Sequence, residues 1–156
     1  MPIQTTYVEN IPSPPPGTVS GSGETVDAFT GNCETEAGIG FGLAVSRGTI
    51  ATFGDNAVVL GGALAVFRGV SIRDVTLGQD EYARYNNVGV LRKGMIWLEP
   101  AVAIVAGDPV HYVSATGKFT NTGDIGPVKG ARWETSCALN GRALAYFPGL
   151  ELQAGV

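Results

Sequence analysis

Hydrophobic positions along this chain recur with a period of two, in short runs separated by turn residues. The signal is densest from Val88 to Phe119. Alternation and β-branched residues there predict four short strands: Val88–Leu91, Met95–Leu98, Val102–Val105 and Val110–Val113. The breakers between them are Arg92–Gly94, Glu99–Pro100 and Gly107–Pro109. Upstream, Gly38–Ser46 alternates glycine with Ile39, Phe41 and Leu43. This predicts a strand with one apolar face and one glycine face, which another backbone can approach closely. Thr49–Phe53 and Ala57–Leu60 read as further strands, and Ala63–Leu77 as a long one bent or bulged at Arg68–Gly69. Gly78–Asn87 is polar and non-periodic, and predicts a surface loop with one helical turn near Gln79–Arg84.

Downstream, Ser114–Phe119 predicts a hairpin turning on Thr116–Gly117. Ala131–Cys137 predicts a half-buried strand with Trp133 on the apolar side and Arg132 on the wet side. Asn140–Gly141 is a strong turn leading into Arg142–Phe147, and Leu150 and Leu152 suggest a last edge strand. About nine or ten short strands, no helix and no internal repeat predict an all-β fold, a small barrel or sandwich of short strands.

Residues 1–37 look different, and the expected organisation is an extended Pro/Gly-rich N-terminal arm over 1–37 followed by a β domain over 38–156. Ile11–Gly17 is a proline run suited to polyproline II, and Ser20–Gly23 after it is flexible. The segment is either a solvated tail or an arm that orders against a neighbouring subunit. As an arm, its expected interface residues are Tyr7, Val8, Ile11, Pro14, Pro15 and Pro16. A stiff proline segment loses less entropy on docking than a flexible one.

Composition sharpens this. The 156 residues suffice for one domain with a real core. Charged residues make up only 15% against a usual fraction of about 25%, which suits a chain with much of its surface covered by other subunits. Residues 1–46 carry Glu9, Glu24, Asp27, Glu34 and Glu36 and no Lys or Arg, which leaves nine acids and ten bases in the rest. Such an acidic first third suits a basic partner surface or plain solvent. The net charge of −4 and the absence of a basic stripe argue against a nucleic-acid partner. With no run of about 18 apolar residues and no basic-then-apolar leader, neither a membrane span nor secretion is expected. The two cysteines, Cys33 and Cys137, are then expected as thiols, although a disulfide between them stays open.

The chemical inventory is thin. His111 is the only histidine, so a hydrolytic triad would have to use it. Glu99 and Asp108 could pair as carboxylates, but both stand beside prolines in turns, where acids are common. The same three residues make a poor metal set without a second histidine or a Cys-x-x-Cys. Ala115-Thr-Gly-Lys118 fails as a phosphate loop, since Tyr112 stands at the upstream glycine position and Phe119 where Ser or Thr belongs. No catalytic residue, cofactor or metal is expected.

One ordered series of segments stands out: Phe67-Arg-Gly-Val-Ser-Ile-Arg-Asp74, Val88-Gly-Val-Leu91, Met95-Ile-Trp-Leu-Glu99, Val105-Ala-Gly-Asp-Pro-Val110 and Gly141-Arg-Ala-Leu144. This series resembles the capsid cement (decoration) proteins of tailed bacteriophages, over roughly Gly38 to Leu152. The resemblance implies a non-enzymatic virion protein, assembled in the host cytoplasm, that binds the outer capsid surface and stabilises contacts between major capsid subunits. It implies two partners: the major capsid protein, and the chain itself as a homo-oligomer, dimer or trimer. A receptor- or glycan-binding head-fibre or tail component is the alternative. It would expose aromatics such as Tyr82, Tyr85, Trp97 and Trp133, although the strand patterns of Trp97 and Trp133 suggest core.

Overall fold

The structure is a computed structural model and describes residues 13–21, 26–49 and 54–149. Twelve strands account for its regular structure. They are β1 (Val19–Ser20), β2 (Asp27–Cys33), β3 (Ile39–Gly40), β4 (Ala44–Arg47), β5 (Ala57–Leu60), β6 (Phe67–Ser71), β7 (Glu81–Tyr82), β8 (Asn87–Leu98), β9 (His111–Tyr112), β10 (Phe119–Thr120), β11 (Arg132–Trp133) and β12 (Ala143–Pro148). The only helical element among the described residues is one 3-10 turn at Leu64–Val66. The all-β expectation holds, and among the described residues no helix is long and apolar enough to cross a membrane.

β8 is the axis of the molecule. Leu91 pairs with both Ala28 and Val70, Lys93 with both Asp27 and Pro148, and Ile96 with both Val19 and Ala145. A strand residue has one neighbour on each side, so β1 and β2 share one edge of β8, and β6 and β12 the other. From β8 the pairings run through β2, β5, β4 and β6 and return to β8, closing a five-stranded ring. The small barrel of the two expected architectures is therefore the one formed. β12 and β11 extend the sheet beyond the ring.

The expected break at Arg92–Gly94 is instead where β8 changes partners. Its twelve residues run unbroken, with a bulge opposite Asp27/Ala28 that leaves Arg92 unpaired to β2. Gly94 has φ +132°, a conformation that L side chains rarely adopt, so glycine here serves a bend inside a strand. Before the bend Val88 and Val90 face one core and Leu91, at the opposite parity, the other; beyond the bend it is the even positions Ile96 and Leu98 that join Leu91 in that second core. A second bulge stands where the sequence places it: Val45 pairs with Gly69 and Ser46 with Phe67, which leaves Arg68 over.

Adjacent wall residues feed two cores. Val45, Val58, Val88 and Val90 pack with Cys33, Ile39, Phe41 and Tyr82. Ala44, Val70 and Leu91 face the other cluster, with Ile96, Leu98, Tyr112, Phe119, Trp133 and Phe147.

Several expectations change. Gly38–Ser46 is not one strand, because a turn at Phe41–Gly42 separates β3 from β4. The close approach expected of its glycines does occur: a Cβ on Gly42 would lie 2.8 Å from the Gly17 nitrogen. Ala63–Leu77 shortens to the 3-10 turn and β6. The helical turn near Gln79–Arg84 is replaced by β7, which pairs with β3. Val102–Val105 is not a strand; only Ile104 is buried, through a single bridge to Cys137, while Val102 and Val105 face out. Pro100 and Gly107 leave it too little regular backbone to form a ladder. Ala131–Cys137 keeps only Arg132–Trp133 as strand, with Trp133 buried and Arg132 exposed as its parity predicts. The second halves of the arm and of the expected boundary also change: β1 and β2 lie inside the main sheet, and β2 is a wall of the ring, so the sheet begins well before residue 38. The parallel pairing of β2 with β5 is non-local and left no mark in the local pattern. Thr49 is described without strand structure, and the rest of Thr49–Phe53, like Leu150 and Leu152, lies outside the described residues.

Candidate interaction surface

Residues 13–18 lead into β1, and the folded chain fastens this root at three residues, Arg142, Trp97 and Arg73. The Ser13 carbonyl accepts a hydrogen bond from Arg142 Nη1 at 2.9 Å. The Pro15 carbonyl accepts one from the Thr18 hydroxyl at 2.7 Å, closing a turn over Pro16–Gly17. Gly17 N–H donates to the Trp97 carbonyl at 2.8 Å, and the Gly17 carbonyl accepts from Arg73 N–H at 2.8 Å. Trp97 N–H in turn donates to Thr18 at 2.9 Å, which hands the chain to β1. Gly17 has φ +84°, and a Cβ there would come within 2.8 Å of the Arg73 nitrogen, so only glycine fits between these segments.

Pro15 and Pro16 form one side of a groove of about 360 Å³, completed by Phe41, Arg73, Asp80, Glu99 and Arg142. Arg73 lies over the Phe41 ring, 5.2 Å from its centroid, and reaches Asp80 at 3.3 Å. Glu99 faces Lys118 at 3.8 Å. These are partly exposed pairs, of small individual effect on stability. Of the expected interface residues, Pro14, Pro15 and Pro16 are thus placed at the base of the arm, with Pro15 exposed; Tyr7, Val8 and Ile11 lie outside the described residues. The anchoring by Arg73, Trp97 and Arg142 was not read from the sequence. The one local signal was Gly17, a glycine ending a proline run.

The residues weighed for chemistry are occupied elsewhere. Asp108 accepts from Asn121 Nδ2 at 2.9 Å and from Val105 N–H at 3.1 Å, which holds its carboxyl below the usual carboxylate range. Glu99 is at the groove with Lys118. His111 is paired in β9 with Thr120, and Gly126 packs against its ring. Among the described residues no hydrogen bond joins His111 to either acid, and no group of three potential metal ligands occurs. Both cysteines are thiols, and burial pushes the Cys33 and Cys137 thiols up.

Of the four aromatics that a glycan groove would use, Trp133 and Tyr82 are in the cores. Trp133 donates its indole N–H to the Thr120 carbonyl at 3.3 Å, and the Tyr82 hydroxyl donates to the Ile72 carbonyl. Trp97 is half-buried rather than core, and Tyr85 is exposed beneath the Arg84 guanidinium. They form no common groove.

The family model described as "Structural cement protein (E217 gp24/Pam3 gp6)" matches residues 3–146, so the likeness takes in the arm as well as the stretch from Gly38. No curated protein matches. A chain from a solved structure titled "The capsid of Myoviridae Phage XM1" has the same fold, with a TM-score of 0.67 at 20% identity, over 95% of this chain and 98% of that one. The chain therefore belongs to the phage structural cement proteins, as a capsid-associated structural component of the virion.

Proposed function

We propose that this protein binds the outer face of the capsid and clamps neighbouring major capsid subunits, acting as a homo-oligomer without nucleic acid, membrane or cofactor. The match to the structural cement family from residue 3 to residue 146 carries this proposal. The low charge supports it, since a covered surface needs few solvated groups. So does the fastened root: an arm whose base is held at Ser13, Gly17 and Thr18 loses less freedom when its leading residues dock. Tyr7, Val8 and Ile11 in that leading segment, with Pro14–Pro16 at its base, are the proposed arm contacts. Assembly takes place in the host cytoplasm.

The test is to separate genome-filled heads on a density gradient and measure the ratio of this chain to the major capsid protein. A high, fixed ratio is expected. A few copies per particle would transfer the protein to a fibre or tail position, and absence from heads would sink the proposal.

A further inference from the structure

Three segments converge at one end of the β8/β12 pair. β8 ends at Leu98 and β12 begins at Ala143, and these two residues are register partners. The loop after β8 and the loop before β12 therefore leave from the same end. The arm root leaves there too, because Gly17 and Thr18 bond to Trp97, and Ser13 bonds to Arg142.

The two loops are locked together. Ile104 and Cys137 exchange backbone hydrogen bonds at 2.9 and 3.0 Å, Ala106 N–H donates to Ser136 Oγ at 2.9 Å, and Gly107 N–H donates to the Trp133 carbonyl at 2.7 Å. Yet their side chains face out: Val102, Val105 and Leu139 are 38%, 64% and 60% exposed, and Ala103, Ala106 and Ala138 are exposed with them. Neither Pro100–Gly107 nor Thr135–Gly141 contains a charged residue. A surface that is apolar, free of charge and held rigid has the character of the buried centre of an interface, where charges are depleted. A rigid backbone also has little ordering entropy to lose on contact.

We propose that this end of the molecule, built from Val102, Val105 and Leu139 around the Ile104–Cys137 bridge, is the face that docks on an apolar surface of a major capsid subunit. The occupant follows from where the chain leaves the described body. The twelve residues before Ser13 start beside this face, and extended they reach at most about 40 Å. One docking event would thus seat the face and bring the arm onto the adjoining subunit. This rests on the cement function proposed above, and the test separates the two.

Capsids lacking the protein are mixed with wild-type chain, Val105→Asp, Leu139→Asp and the control Val75→Asp. Val75 is 81% exposed and belongs to another loop. Bound chain is measured by co-sedimentation, and thermal unfolding and light scattering check fold and oligomeric state. Wild type and Val75→Asp are expected to bind alike, and both patch variants to bind at least tenfold more weakly with unchanged unfolding. Leu139→Ser serves as a milder variant if Leu139→Asp unfolds, and is expected to weaken binding in the same direction. Patch variants that bind as wild type while wild type decorates capsids would overturn the docking face and leave the cement function standing. Patch variants that keep capsid binding but lose self-association would reassign the face to a contact between copies and overturn the proposal. Wild type that fails to bind would overturn both.

Discussion

At the scale of single residues, the two buried tyrosines make stability depend on pH in a predictable direction. Burial pushes the Tyr112 hydroxyl up to about 12, with the Ser46 hydroxyl beside it offsetting part of the effect, and burial raises Tyr82 as well. The folded state therefore holds the tyrosine proton more tightly than the unfolded chain, whose value is about 10. The associated stability is fully present below pH 10 and is lost as pH rises from there through the folded value. Thermal unfolding measured from pH 8 to pH 12 is expected to show a falling midpoint above pH 10, with a shallower fall in Tyr112→Phe. An equal slope in the two proteins would refute this. Trp133 shows how much one residue's environment was legible: its place on the apolar parity of its strand put it in the core, where it is fully buried. Trp97 was read the same way and stands half-exposed, because an all-apolar run cannot say which of its faces another strand will cover.

At the scale of elements, β8 is the strand on which the others depend. It is paired along both edges, to β2 and β6 in the ring and to β1 and β12 beyond the bend. Opening it requires breaking four pairings at once, so its interior amides are expected to exchange most slowly in the molecule. The short β9/β10 hairpin, whose ladder holds the two pairs Tyr112–Phe119 and His111–Thr120 and is flanked by a single bridge from Tyr112 to Ile125, is expected to exchange faster, and hydrogen-exchange mass spectrometry would order the two. The bend depends on Gly94. Replacing it with valine forces a β-branched residue to φ +132°, which is expected to destabilise by more than about 1 kcal/mol in denaturant unfolding. A Gly94→Val midpoint equal to wild type would show that the backbone can reshape there freely.

At the scale of the whole molecule, the position of β2 decides what can be removed. The expected boundary after residue 37 would assign β2 to the arm, yet β2 is a wall of the ring between β8 and β5. Deleting residues 1–37 would open the ring and expose both cores, and that variant is expected not to fold cooperatively. Deleting residues 2–12 spares every described strand and is expected to leave thermal unfolding unchanged while weakening shell attachment. Circular dichroism and capsid co-sedimentation of the two deletions test this together. A folded 38–156 fragment would sink the structural part, and full capsid occupancy without residues 2–12 would remove the arm from the contact.

Local chemistry in the chain was enough to determine the all-β class, the turns at Thr116–Gly117 and Asn140–Gly141, and the bulge at Arg68–Gly69, because side-chain alternation and glycine or asparagine at turns act over a few residues. Only the tertiary structure decided that Arg92–Gly94 bends a strand rather than ending one, that β2 joins the ring, and that Val102 and Val105 turn outward beside Leu139. A glycine suits a turn and a bend equally, and an apolar run suits a core and an interface equally. Which one forms depends on partners distant in sequence: β12 and β1 for β8, the parallel β5 for β2, and Cys137 for the loop around Ile104.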